Sequence, residues 1–104
     1  MIFVTSDQIA GKTIKKTLGI VRGNTIRARH LGRDISAALK NIVGGEIKDY
    51  TKMMAESREQ ALDRMVEEAE SLGANAILNV RFATSMIMQS ASEILAYGTA
   101  VIVE

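Results

Sequence analysis

The stretch from Tyr50 to Gly73 constrains this chain more than any other, because it is the one long segment with a clean helical period. With Leu62 at zero on a wheel of roughly 100° per residue, Met54, Ala55, Ala61, Met65, Val66, Ala69 and Leu72 fall together. They fill an arc about 140° wide, as a helix facing a core requires. Arg58 falls near the middle of that arc. Three readings of it stand. It pairs with a carboxylate across a helix or subunit contact, and stranding such a buried charge would cost about 3–5 kcal/mol. It holds an anion in a cleft. Or it snorkels to solvent along its aliphatic stem. Pairing comes first, since a charge within an apolar stripe needs a partner.

With 104 residues there is room for one core, so residues 1–104 are expected to form a single domain. A formal net charge of +1 gives no electrostatic drive toward nucleic acid, anionic lipid or acidic substrates. An aromatic content of 4% also speaks against a base-stacking surface. The chain has no cysteine, which removes disulfides, thiolate metal sites and thiol catalysis. The segment Met1-Ile2-Phe3-Val4-Thr5-Ser6-Asp7 lacks a basic n-region, so it is not read as a signal peptide. No apolar run approaches the roughly 20 residues that span a bilayer. A cytoplasmic location, with neither membrane nor nucleic acid as partner, is the expectation.

Proline is absent, so glycine punctuates the chain. Ile2 to Thr5 can form a short strand. From Thr13 the pattern turns β-like, with Ile14, Leu18, Ile20 and Ile26 on one parity. Gly19 and Gly23-Asn24 interrupt it, so bulges or bends are expected there. A first helix is expected where Ile35, Ala38, Leu39, Ile42 and Val43 make an apolar stripe, with Asp34 as N-cap and Gly44-Gly45 as its end. The long helix begins between Ile47 and Tyr50 and closes at Leu72-Gly73. Ala76, Leu78, Val80 and Phe82 then alternate with Asn79, Arg81 and Ala83, as in a half-buried strand. Ser92 to Val103 is apolar on both parities, which marks a central strand or one buried by another subunit. The order is β-α-α-β-β with an extra N-terminal strand in question. Two helices cover only one face of a three-stranded sheet. The other face keeps apolar residues, which favours a homo-oligomer.

Residues with chemical capacity are few. His30 is the only histidine, and with Asp34 four residues on it is the candidate metal ligand pair, although a lone surface histidine is the plainer reading. Met86 and Met88, two apart on a strand, could add thioethers for a soft metal, although methionine more often fills gaps in cores and interfaces. No phosphate loop, paired-carboxylate or nucleophile-elbow motif is present.

Arg33-Asp34, Ile42-Val43-Gly44-Gly45, Tyr50, Arg58-Glu59-Gln60-Ala61, Leu72-Gly73-Ala74-Asn75-Ala76 and Gly98-Thr99-Ala100-Val101 together resemble the YbjQ-like family. That family is often labelled "putative heavy-metal-binding" and has no settled function. The resemblance covers nearly the whole chain. It implies a small α+β unit of dodecin-like type, an antiparallel three-stranded curved sheet on one long helix, assembled as a ring of five subunits. It implies no enzymatic activity. Some relatives carry acidic residues where this chain has Asn79 and Arg81, and with one histidine and no cysteine a soft-metal site lacks its usual ligands here. The resulting expectation is a non-enzymatic homopentameric module that binds a small ligand or partner, with Arg58 as the anion-binding candidate. The alternative is a metal-binding protein whose site uses His30 and Asp34 at a subunit interface, with a metal ion as cofactor.

Overall fold

Period-two patterning over 76–82 and the doubly apolar run at the C-terminus become two long paired strands, and the 3.6-residue pattern between them and the N-terminal half becomes one helix. The computed structural model describes residues 1–28, 42–43, 46–88 and 91–104. In chain order these form β1 (Ile2–Phe3), β2 (Ile14–Ala28), β3 (Ile42–Val43), β4 (Glu46–Ile47), α1 (Lys48–Ser71), β5 (Ala76–Met88) and β6 (Ala91–Val103). The main sheet runs β1-β5-β6-β2. β6 pairs antiparallel with β5 and with β2, whereas β1 joins β5 in parallel. The sheet is therefore mixed and four-stranded, not the three-stranded antiparallel sheet expected from the sequence.

The expected first helix is overtaken at its C-terminal end. Ile42 and Val43 lie in β3 and pair with Ile47 and Glu46 of β4. Two consecutive β-branched residues favour extended backbone over a last helical turn. The rest of that helix, residues 35–41, lies outside the described residues, as do Asp34 and Gly44-Gly45.

α1 ends as its sequence predicts. Gly73 takes φ +84°, which glycine adopts without a Cβ penalty. The Ala74 amide donates to the Ala69 carbonyl at 3.1 Å and the Gly73 amide to Glu70 at 3.0 Å, the paired bonds of a Schellman ending. Asn75 then launches β5: its side-chain amide donates to the Val103 carbonyl and accepts from the Val103 amide, both at 2.8 Å. One side chain thus continues the ladder of the sheet.

Bulges set which residues face the helix. On β5, Leu78 opposes Thr99 and Arg81 opposes Tyr97, so β5 carries one residue more than β6 across this interval. Asn79 sits there at φ +55°, a backbone that asparagine tolerates better than most side chains. Ile77 and Val80 consequently both reach the helix side, and the alternation expected through Ala76, Leu78 and Val80 breaks at this point. On β2 two further register shifts, one beside Gly19, bring Ile14, Ile20 and Ile26 to the face away from the helix. Leu18 is displaced onto the helix-side core. The bulge expected at Gly19 is present, whereas Gly23 lies in an unbroken ladder opposite Ala96.

Two apolar clusters result. Val21, Ala61, Met65, Ala69, Ile77, Val80, Ile94, Ala96 and Ala100 pack between sheet and helix. Full burial of side chains such as Met65, Ile77 and Val21 stabilises by about 1.5–3 kcal/mol each. On the other face, Val4 and Ile9 of the N-terminal segment cover Ala76, Leu78, Val101 and Val103. The end of the sheet near Val103 is thus covered on both sides, and β6 is central, as its two-faced apolar pattern demands.

Candidate functional site

α1 lies over β2 and the adjoining part of β6, and a glycine sets its distance. A Cβ built on Gly23 would overlap the Ala61 carbonyl oxygen and the Met65 amide nitrogen, so helix backbone rests directly on strand backbone. The buried row of the helix is accordingly Ser57, Ala61, Met65 and Ala69, an i, i+4 ridge. This overturns the placement of Arg58. It is exposed, because the ridge that touches Gly23 runs beside it, and Leu72, assigned to the same apolar arc, is 47% exposed. Among the described residues Arg58 makes no hydrogen bond or ion pair.

The arginines that join helix to sheet are others. Arg27 Nε donates to the hydroxyl of fully buried Ser57 at 2.9 Å, and its Nη2 donates to Gln60 Oε1 at 2.8 Å. Buried Thr25 donates to the Ser57 carbonyl at 3.2 Å. Arg64 Nη1 donates to the Asn24 carbonyl at 2.6 Å. Asn24 Nδ2 in turn donates to Glu93 Oε2 at 3.0 Å. Arg27 and Arg64 thus form a structural clasp between sheet and helix. No wheel or alternation pattern could show that, because the partners lie 30 to 40 residues away in sequence.

His30 and Asp34, the metal candidates, lie outside the described residues. Met86 and Met88 end β5 with a register shift between them; Met86 opposes Ser92 and Met88 opposes Ala91. Both are exposed, Met86 to 77%. Among the described residues no three histidine, aspartate or glutamate side chains gather in a metal-holding group.

Away from Val103 the helix still covers Thr25 of β2 and Ile94 of β6, and the open surface is the outer half of β5. Residues 81–88 are exposed along their whole length, Phe82, Met86, Ile87 and Met88 among them. On the face opposite the helix, β2 contributes Ile20, Arg22, Asn24 and Ile26, and β6 contributes Glu93, Leu95, Tyr97 and Thr99. Arg22 stands directly across from Tyr97. Together with Ile20 and Leu95 they line a shallow cleft of about 240 Å³. No sequence pattern pointed to this cleft, since these lining residues belong to two strands whose register is fixed only by pairing.

Comparison with known proteins places the fold and the family. A UPF0145 protein of Methanosarcina acetivorans is 61% identical over 101 residues, 97% of this chain and 95% of that protein. One from Dehalococcoides mccartyi is 59% identical across the full length of both chains. One from Clostridioides difficile is 53% identical over all of this chain and 93% of its own length. A crystal structure of a protein of unknown function from the DUF74 family of Pediococcus pentosaceus has the same fold, with a TM-score of 0.68 at 17% identity, over 100% of this chain and 98% of that one. Among the described residues no helix is long and apolar enough to cross a membrane. The model of the YbjQ-like family, described as "Putative heavy-metal-binding", matches residues 1–104, and the chain belongs to that family.

Proposed function

We propose that the protein is a non-enzymatic, self-associating module, a homopentamer on its family resemblance, that binds a small ligand or a partner. The observation carrying this reading is the bare outer half of β5. Residues 81–88 expose Phe82, Met86, Ile87 and Met88 along an edge that no described residue pairs. An apolar strand with a free edge invites a second chain. The other edge of the sheet, β2, is equally unpaired among the described residues. Because both strands run antiparallel to β6, the two edges point the same way. Contact between β5 of one copy and β2 of the next is therefore head-to-tail, an interface that makes a ring when the rotation between copies closes and a filament when it does not. Light scattering and native mass spectrometry test this: the expectation is a single assembly of five chains. Replacing Ile87 by Lys places a charge on the bare edge and is expected to weaken association at least about tenfold, roughly 1.4 kcal/mol. A monomer at all concentrations would overturn the reading.

A second reading follows the description of the family, metal binding at a subunit interface by His30 and Asp34, with Met86 and Met88 able to add sulfur. Oxygen and nitrogen ligands from neighbouring copies would suit zinc better than copper(I), whose preference is for sulfur. Calorimetric titration with zinc, cadmium and copper(I) decides it. Saturable binding lost in His30→Ala supports the site, and no saturation below roughly millimolar metal removes it.

A further inference from the structure

We infer that the cleft formed by Ile20, Arg22, Leu95 and Tyr97 is a binding site for a small organic carboxylate with a flat apolar body. The inference rests on the ligand-binding half of the reading above and names the chemical class of the ligand.

Four observations carry it. First, the walls are apolar and the polar groups few. Ile20, 67% exposed, and Leu95 flank the direct cross-strand pair of Arg22 and Tyr97. A small set of polar groups on an apolar floor is the composition of a ligand site. Second, among the described residues the Arg22 guanidinium makes no hydrogen bond or ion pair, so its fork of donors is unspent. Third, the carboxylate that this part of the face does carry is already engaged. Glu93, opposite Ile26, accepts from Asn24 Nδ2 at 3.0 Å and from Ser85 Oγ at 3.5 Å. The other charged side chain in these rows is Arg81, which stands on the far side of Tyr97. Its Nη1 donates to the carbonyls of Thr5 and Val80. The local charge is positive and complementary to an anion. Fourth, size and donor number set the class. At about 240 Å³ the cleft is smaller than the roughly 300–1,000 Å³ of drug-sized sites. One open guanidinium with a neighbouring phenol suits a single carboxylate held in a bidentate fork, whereas a phosphate would call for further donors. The ring of Tyr97 offers a flat apolar body a surface to stack on.

The test uses the full chain and phenylacetate as probe, with the neutral phenylacetamide as control, followed by amide chemical shifts. Phenylacetate is expected to produce saturable shifts confined to residues 20–22 and 95–97. Phenylacetamide should bind about tenfold more weakly or not at all, and Arg22→Gln should weaken phenylacetate about tenfold, the loss of one charge-assisted fork. Arg22 and Tyr97 are both on the surface, so the variant is expected to keep the wild-type spectrum elsewhere. Absence of saturation up to roughly 10 mM, an affinity weaker than about 3 kcal/mol, would overturn the inference. So would equal binding by the Arg22→Gln chain. A third overturning outcome is protection of Tyr97 from a soluble paramagnetic probe that grows with protein concentration, which would assign the cleft to a second copy of the chain. Light scattering on the same samples reads assembly separately, so failure of the site and failure of the module reading are told apart.

Discussion

At the scale of single residues, contact distances outrank chemical character. Gly23 has no side chain, and for that reason it fixes the spacing between α1 and β2. Gly23→Ala forces backbone to move, not the end of a flexible side chain, and is expected to cost about 3 kcal/mol, the upper range for overpacking. A urea titration reading a lower midpoint at unchanged slope checks this. Arg58 makes the opposite case. It is exposed, so Arg58→Met is expected to change stability by no more than about 0.5 kcal/mol in the same titration. The wheel placed Arg58 at the centre of an apolar arc because it averages over the whole helix. The contact, however, follows a ridge of residues four apart that drifts around the axis, and a wheel cannot see which ridge meets the strand.

At the scale of elements, the sequence was legible wherever a pattern stayed in phase. α1 and its glycine stop were readable, as were β5 and the central position of β6, since each depends on local periodicity or local capping. The parallel pairing of β1 was not, because a two-residue strand has no period of its own. The cleft between β2 and β6 was hidden for a related reason, since it exists only through the pairing register. Asn79 shows how one residue adjusts an element. Its bulge keeps Val80 facing the helix while Leu78 and Arg81 share the opposite face. Asn79→Val, a β-branched residue at positive φ, is expected to lose about 1–2 kcal/mol, whereas Asn79→Gly should stay within about 1 kcal/mol of the parent. Thermal unfolding of the two variants side by side measures the difference. Gly98 lies close under this bulge, where an added Cβ would come within 2.8 Å of the Ile77 Cγ2 and 2.9 Å of the Leu78 carbonyl oxygen. Bulge and glycine are thus two halves of one packing solution.

At the scale of the whole molecule, burial is unevenly distributed along the sheet. Near Val103 both faces are covered, by α1 and by Val4 and Ile9; from Phe82 to Met88 no described residue pairs the edge, and every residue is exposed. The same strand therefore starts in a two-sided core and finishes in the open. Its cost of local opening should fall along its length, since opening free energy follows the apolar contacts that must be broken. Amide hydrogen exchange is expected to be slowest at 76–78 and 100–103 and fastest at 83–88, measured in dilute solution. This gradient leaves the outer half of β5 with the fewest buried contacts of any long strand segment among the described residues. A contact that orders it would stabilise by mass action, so protection at 83–88 and the melting temperature would both climb with protein concentration. Under the proposed self-association, ordering the outer half of β5 and joining a second copy would be one thermodynamic event, with chain concentration setting how far each copy is ordered.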